Sequence, residues 1–204
     1  MTKSQKTVCI INGNYQYAEM FLKNGYKGIH DPHQADLVCF TGGEDVTPSF
    51  YRQTAISGTH FNPDRDAKEQ TIFEALDTAQ MCVGICRGGQ FLNVMNGGSM
   101  WQDVDSHGQS HLVYDFETKK EHWCSSTHHQ MMRHSTEGIV VGADNRAKIK
   151  RDCWNTISRS DTLNTDEEVL WYPKTKSLCF QPHPEFNMVE PCRKYFFELL
   201  ERFG

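Results

Sequence analysis

The stretch Met81-Cys82-Val83-Gly84-Ile85-Cys86-Arg87-Gly88-Gly89-Gln90-Phe91-Leu92-Asn93-Val94 passes without a linker from an apolar, strand-like run into a segment of helical character. Gly84-Ile85-Cys86-Arg87-Gly88 stands at the junction. A G-x-C-x-G sequence between a strand and a helix reads as a nucleophile elbow with cysteine in place of serine. The sharp turn lifts the side chain out of the sheet, the glycines relieve crowding, and the helix turns its positive amino end toward the sulfur. Taken alone, the same five residues describe a buried strand-end thiol beside a glycine turn equally well.

Working outward, short apolar runs recur between segments of helical period: Val8–Ile11, Leu37–Phe40, Ile139–Val141, Val169–Tyr172 and Leu178–Phe180. Asp66 to Ala79 places Ile72, Phe73, Leu76 and Ala79 on one face, with Asp66 and Glu69 spaced as a capping box. At the carboxyl end Pro191 suits a first helical turn, and Cys192, Tyr195, Phe196, Leu199, Leu200 and Phe203 repeat at three- and four-residue steps. Alternation of this kind is the pattern of an α/β protein, a mostly parallel sheet covered on both faces that binds ligands at the carboxyl ends of its strands. Asp103 to Arg133, polar and rich in histidine and serine, reads as loops and short strands. All 204 residues are expected to form a single domain.

Two further strand ends carry chemistry. Leu178-Cys179-Phe180-Gln181-Pro182-His183-Pro184-Glu185 ends an apolar run with a histidine and a glutamate two residues apart. In an extended segment such residues point to the same side, so Glu185 can bond one imidazole nitrogen and leave the other for a nucleophile. Val38-Cys39-Phe40-Thr41-Gly42-Gly43-Glu44-Asp45 ends a strand in paired glycines. Acyl transfer needs two preorganised donors for its oxyanion, and the backbone N–H groups of Gly43 and Arg87 are the candidates. Each segment alone also reads as an ordinary turn, but three together converge on one reaction type.

These residues resemble the class I glutamine amidotransferase superfamily, whose triad is a cysteine at an elbow followed late in the chain by His-Pro-Glu. Within it the chain is most similar to the gamma-glutamyl-gamma-aminobutyrate hydrolase (peptidase C26) group. Gly42 to Pro48 with Tyr51, Asp64-Arg65-Asp66 with Glu69, Cys86 to Gln90 with Asn93-Val94, Gly97-Gly98-Ser99, Gln102-Asp103, His107, and Ser126-Thr127-His128-His129-Gln130 carry that likeness. Ser125 stands where the group has asparagine, and the chain is shorter than its members between Tyr51 and Asp64 and between His107 and Ser125. The resemblance implies a flavodoxin-like open sheet and hydrolysis of γ-glutamyl amide bonds through a γ-glutamyl thioester on Cys86, with His183 and Glu185. It implies no metal and no organic cofactor. It also places Gln90, Ser126, His128, His129 and Gln130 on the amino acid end of a small-molecule γ-glutamyl substrate. Two other roles stay open: a glutaminase subunit that delivers ammonia to a separate synthetase, and a non-catalytic binding module of the same fold.

Composition excludes other classes. Apolar residues at 38%, charged residues at 23% and a net charge of −5 describe a globular chain without the basic surface that nucleic acid requires. Val8-Cys9-Ile10-Ile11 after the polar Met1–Lys6 is too short for a signal-peptide core or a membrane span, so a cytoplasmic protein is expected and its eight cysteines are expected as free thiols. His122, Cys124, His128 and His129 fit no closed zinc spacing, and Trp101, Trp123, Trp154 and Trp171 read as core or rim packing.

Overall fold

The computed structural model describes residues 5–104, 107–144, 166–186 and 190–204; Cys153 and Trp154 lie outside them. In chain order the elements are β1 (Thr7–Ile11), α1 (Tyr15–Lys23), β2 (Lys27–Ile29), β3 (Leu37–Phe40), α2 (Pro63–Ala75), β4 (Met81–Ile85), α3 (Arg87–Met95) and β5 (Ser99–Trp101). There follow β6 (His111–Asp115), β7 (Lys120–Cys124), β8 (Met131–Arg133), β9 (Ile139–Asp144), β10 (Asp166–Tyr172), β11 (Ser177–Phe180) and α4 (Glu190–Phe203).

Among the described residues one nine-stranded sheet runs in the order β2-β1-β3-β4-β11-β10-β9-β6-β7. From β2 to β11 every pairing is parallel; from β11 to β7 every pairing is antiparallel. The α/β expectation is met, and the parallel half is the one that carries the elbow. Residues of β4 alternate strictly: Met81, Val83 and Ile85 join the core that includes Phe21 of α1 and Phe196 of α4, whereas Cys82 joins the opposite core with Phe91 of α3. Helices α1 and α4 therefore cover one face and α2 and α3 the other, which is why the strands are apolar on both sides. Each large side chain that α4 buries, among them Tyr195, Phe196, Leu199 and Leu200, contributes about 1.5–3 kcal/mol of burial.

One expectation needs correction. Helix α2 begins at Pro63, three residues before Asp66, because Asn62 caps it by accepting the Arg65 N–H at 3.1 Å. Asp66 and Glu69 are consequently inside the helix and fully buried, paired with Arg87 rather than forming a capping box. Trp123, at 47% exposed on β7, takes the rim rather than the core of the two placements expected for the tryptophans. The seven described cysteines are buried free thiols, and no described helix is long and apolar enough to cross a membrane.

Candidate active site

Cys86 is the cap residue between β4 and α3, with φ 51° and ψ −113°. A non-glycine residue in that region stores roughly 1–3 kcal/mol of strain, which the surrounding packing must hold. The packing here is backbone on backbone. A Cβ on Gly84 would lie 2.2 Å from the Gly88 carbonyl, and one on Gly88 would lie 2.1 Å from the Phe40 oxygen, so α3 can start this close to the sheet only with glycine at both positions. The Cys86 N–H donates to the Phe180 carbonyl at 2.8 Å, tying the elbow to the end of β11.

That strand end leads directly to His183. Its Nδ1 lies 2.7 Å from Glu185 Oε1, and its ring stacks on Phe186 with centroids 4.6 Å apart. The other nitrogen, Nε2, makes no hydrogen bond among the described residues. A methyl placed on Gly42 would touch His183 Cε1 at 3.2 Å and Cys86 Cβ at 3.8 Å, so imidazole and thiol meet over this glycine. Burial opposes a charged imidazole, but the Cys86 sulfur and the Glu185 carboxylate more than offset it and hold His183 at about 10.

The backbone of His183 is clamped from below. Ser125 Oγ accepts the His183 N–H at 3.0 Å and donates to the His183 carbonyl at 2.8 Å. A hydroxyl, like a side-chain amide, offers a donor and an acceptor, which explains how serine serves where relatives are expected to carry asparagine. Arg193 of α4 adds bonds to the carbonyls of Pro184, Glu185 and Phe186. Tyr17 of α1 accepts the Gly42 N–H at 3.2 Å. Burial and then the neighbouring Glu185 carboxylate push its hydroxyl far above the ordinary phenol range.

Gly43, at φ 149°, is fixed by Arg65. A Cβ there would strike the Arg65 guanidinium, which bonds the carbonyls of Thr41 and Gly42 at 3.0 and 3.1 Å as well as Glu44 and Glu69. Arg87 points its guanidinium away from the thiol into the buried pair Asp66 and Glu69. Asp66 also receives the N–H and hydroxyl of Thr47. Helix α2 thus locks both strand ends that carry the candidate oxyanion donors, and neither the Gly43 nor the Arg87 N–H donates to another described backbone group outside the helices and strands.

A cavity of about 350 Å³ opens above Cys86, lined by Gly43, Glu44, Asp45, His60, Arg87, Gln90, Thr127, His128, His129, Gln130 and His183. Gln90 Oε1 and both side-chain polar atoms of Gln130 are buried without partners, leaving amide groups for a polar ligand. His129 bonds Asp45 at 3.1 Å, an interaction that raises its pKa. One expected contact is elsewhere: Ser126 Oγ donates to the His107 carbonyl and Ser126 does not line the cavity. His128 lines the cavity but turns its ring nitrogens to the Gln130 carbonyl and to Glu168. Of the residues considered as metal ligands on paper, His122 stacks on Tyr195 with centroids 3.8 Å apart, away from His128 and its partners.

The peptidase C26 family model matches residues 32–142, more than half of the chain, including the elbow and the cavity loop. The chain belongs to the peptidase C26 family. This C26 chain is 31% identical over 169 residues to the glutamine amidotransferase-like protein YvdE of Lactococcus lactis, covering 66% of this chain and 71% of that one. It is 34% identical over 115 residues to a glutamine amidotransferase homologue of Schizosaccharomyces pombe, covering 48% of this chain and only 43% of the relative. In fold it matches a Thermoplasma acidophilum protein assigned as subunit a of GMP synthase, with a TM-score of 0.67 over 98% of this chain and 95% of that one, at 12% identity.

Proposed function

We propose that this C26 chain hydrolyses γ-glutamyl amide bonds through a thioester on Cys86. The observation that carries the reading is the strained Cys86 at a helix start, beside an imidazole that meets it over Gly42 and whose Nδ1 lies 2.7 Å from Glu185 Oε1. Nothing else in the chemistry of a buried turn calls for this combination.

In the proposed reaction His183 Nε2 takes the Cys86 proton, and the sulfur attacks the γ-carbonyl carbon. The carbonyl electrons move to oxygen, where the Gly43 and Arg87 N–H groups receive the negative charge. As the oxyanion collapses, the C–N bond breaks and the amine leaves with the proton from His183. Water then gives a proton to His183 and its oxygen to the acyl carbon; the C–S bond breaks, and the sulfur recovers its proton as glutamate departs. Glu185 orients the imidazole and stabilises its cation. Gln90, Gln130 and His129 with Asp45 are the proposed contacts for the amino acid end of the substrate, supported by their place on the cavity and by the orphaned amides.

A second reading, a glutaminase subunit with a separate synthetase, draws on the likeness to a protein assigned as a GMP synthase subunit. A panel of glutamine, γ-glutamyl amines and γ-glutamyl peptides decides between them. Turnover of one of these by the isolated chain, abolished in Cys86→Ala, supports the hydrolase. Inertness toward the whole panel until a second protein is added supports the subunit. Full activity in Cys86→Ala overturns both.

A further inference from the structure

Beneath the cavity loop, outside the proposed catalytic machinery, four buried groups converge on one point. His107 Nδ1 and His111 Nε2 each lie 3.2 Å from Glu168 Oε1, and His128 Nε2 lies 3.5 Å from the same oxygen. All four residues are at most 8% exposed, with Glu168 at 0%. Among the described residues, none of these nitrogens and neither oxygen of Glu168 makes a hydrogen bond. We propose that His107, His111, His128 and Glu168 bind one divalent transition-metal ion of zinc's class.

The outer hydrogen bonds of the three rings fix where the imidazole protons lie. Each ring spends its other nitrogen on an oxygen: His128 Nδ1 on the Gln130 carbonyl at 2.8 Å, His111 Nδ1 on the Gln109 carbonyl at 3.2 Å, and His107 Nε2 on Asp166 at 3.0 Å. A carbonyl only accepts, so His111 and His128 carry N–H groups there, and a carboxylate asks the same of His107. In the neutral rings the inner nitrogens are then bare lone pairs, all aimed at the lone pairs of a carboxylate. Protons relieve this only by crowding imidazolium ions, or by neutralising Glu168 to satisfy a single ring, in a buried cluster where two rings stack with centroids 4.7 Å apart. A single cation accepts all of these lone pairs at once.

Geometry and surroundings fit that ion. Tetrahedral ligands at metal distances of about 2.0–2.1 Å stand roughly 3.3 Å from one another, close to the separations found. Donor atoms of His107, His128 and Glu168 all lie within 4.8 Å of each other. His111 is farther from His128, with ring centroids 6.4 Å apart, so the ion would draw it inward as the fourth ligand. The outer bonds to Gln109, Gln130 and Asp166 are the arrangement that fixes tautomer and ring orientation around metal-bound histidine. With four protein ligands the site is closed, hence structural. It joins β6 and β10 to the loop that presents His129 and Gln130 to the cavity. The family resemblance implied no metal, and of the histidines weighed from their spacing only His128 belongs to this cluster; the proposed ion reverses that expectation and does not depend on the role of Cys86.

The test uses the untagged full chain in the Cys86→Ala background, so that the cavity thiol contributes no ligand. Elemental analysis of protein purified without chelator is expected to give about one transition-metal ion per chain, lost in Glu168→Gln and His111→Ala. After chelator treatment, Co²⁺ should restore the visible bands of a tetrahedral site without thiolate-to-cobalt charge transfer. Zn²⁺ at a hundredfold excess over Kd should raise Tm by roughly 5–10 °C, and not in Glu168→Gln. A folded, chelator-treated parent that takes up neither ion overturns the proposal. So do variants that bind as the parent does, or, where the variants fail to fold, thiolate charge-transfer bands in the parent.

Discussion

Replacing Ser125 by alanine separates positioning from binding at this site. The hydroxyl holds both the N–H and the C=O of His183, at 3.0 and 2.8 Å, and Ser125 is 3% exposed. Alanine fits the space but leaves two buried backbone groups without partners, each costing about 1–3 kcal/mol. We expect a loss of about 2–5 kcal/mol, since the paired groups desolvated together, from a total that is roughly 5–15 kcal/mol for a single domain. In urea this is a midpoint lower by roughly 1–2 M at unchanged slope. Released from the clamp, His183 need move only about 1 Å from the sulfur to reduce kcat on the order of a hundredfold. Ser125 does not line the cavity, so KM should change little, and Ser125→Asn, which supplies one donor and one acceptor, should restore most of both losses. The assay is steady-state hydrolysis of the best γ-glutamyl amide on protein shown to be folded at the assay temperature. An alanine variant with parental stability and kcat, or one that loses only KM, refutes the reasoning.

Glu185→Gln should lower kcat by about 10²–10⁴-fold while the fold survives, because the imidazole loses both its orienting partner and the charge that stabilises its cation; a parental rate would remove Glu185 from the mechanism. The stability of the parent should fall as pH rises through about 10. His183 is raised in the folded state from an ordinary 6.5, so its contribution is complete below that value and is lost as the folded group deprotonates. Urea melts across this range on Cys86→Ala, which lacks the sulfur, should show a shallower decline, and an unchanged one would separate the two groups. Arg87→Met leaves Asp66 and Glu69 buried without their cation and should destabilise by about 3–5 kcal/mol. Burial already raises Glu69, so without Arg87 the loss should be worst at neutral pH and shrink as acid protonates the pair. A variant whose deficit is independent of pH would show that the ion pair does not hold the two strand ends.

How much of this was legible in the sequence depended on whether a feature is local. The elbow, the strand ends at Phe40 and Phe180 and helix α4 are written in contiguous residues, where period and glycine spacing state the backbone directly, and β3 and β4 match their apolar runs end for end. Asp66 and Glu69 were misjudged for the opposite reason. Their spacing suits a cap, and only the fold shows that Asn62 has taken that role and that Arg87, about twenty residues onward, needs both carboxylates. The histidine cluster is a stronger case, because Glu168 arrives from β10 and no spacing rule links it to His107, His111 and His128. Its one sequence signal, the acidic run Asp166-Glu167-Glu168 leading into the apolar Val169–Tyr172, has meaning only once β10 is known to bury Asp166 and Glu168. There a charge must have partners, and one of the three, His128, comes from the very loop that the resemblance assigned to substrate. Anchor and binding surface therefore share one segment: Thr127 to Gln130 line the cavity, and within that run His128 directs a ring nitrogen inward to Glu168. Motif likeness marks such a segment as important without dividing it, and the side of the loop on which each nitrogen lies makes the division.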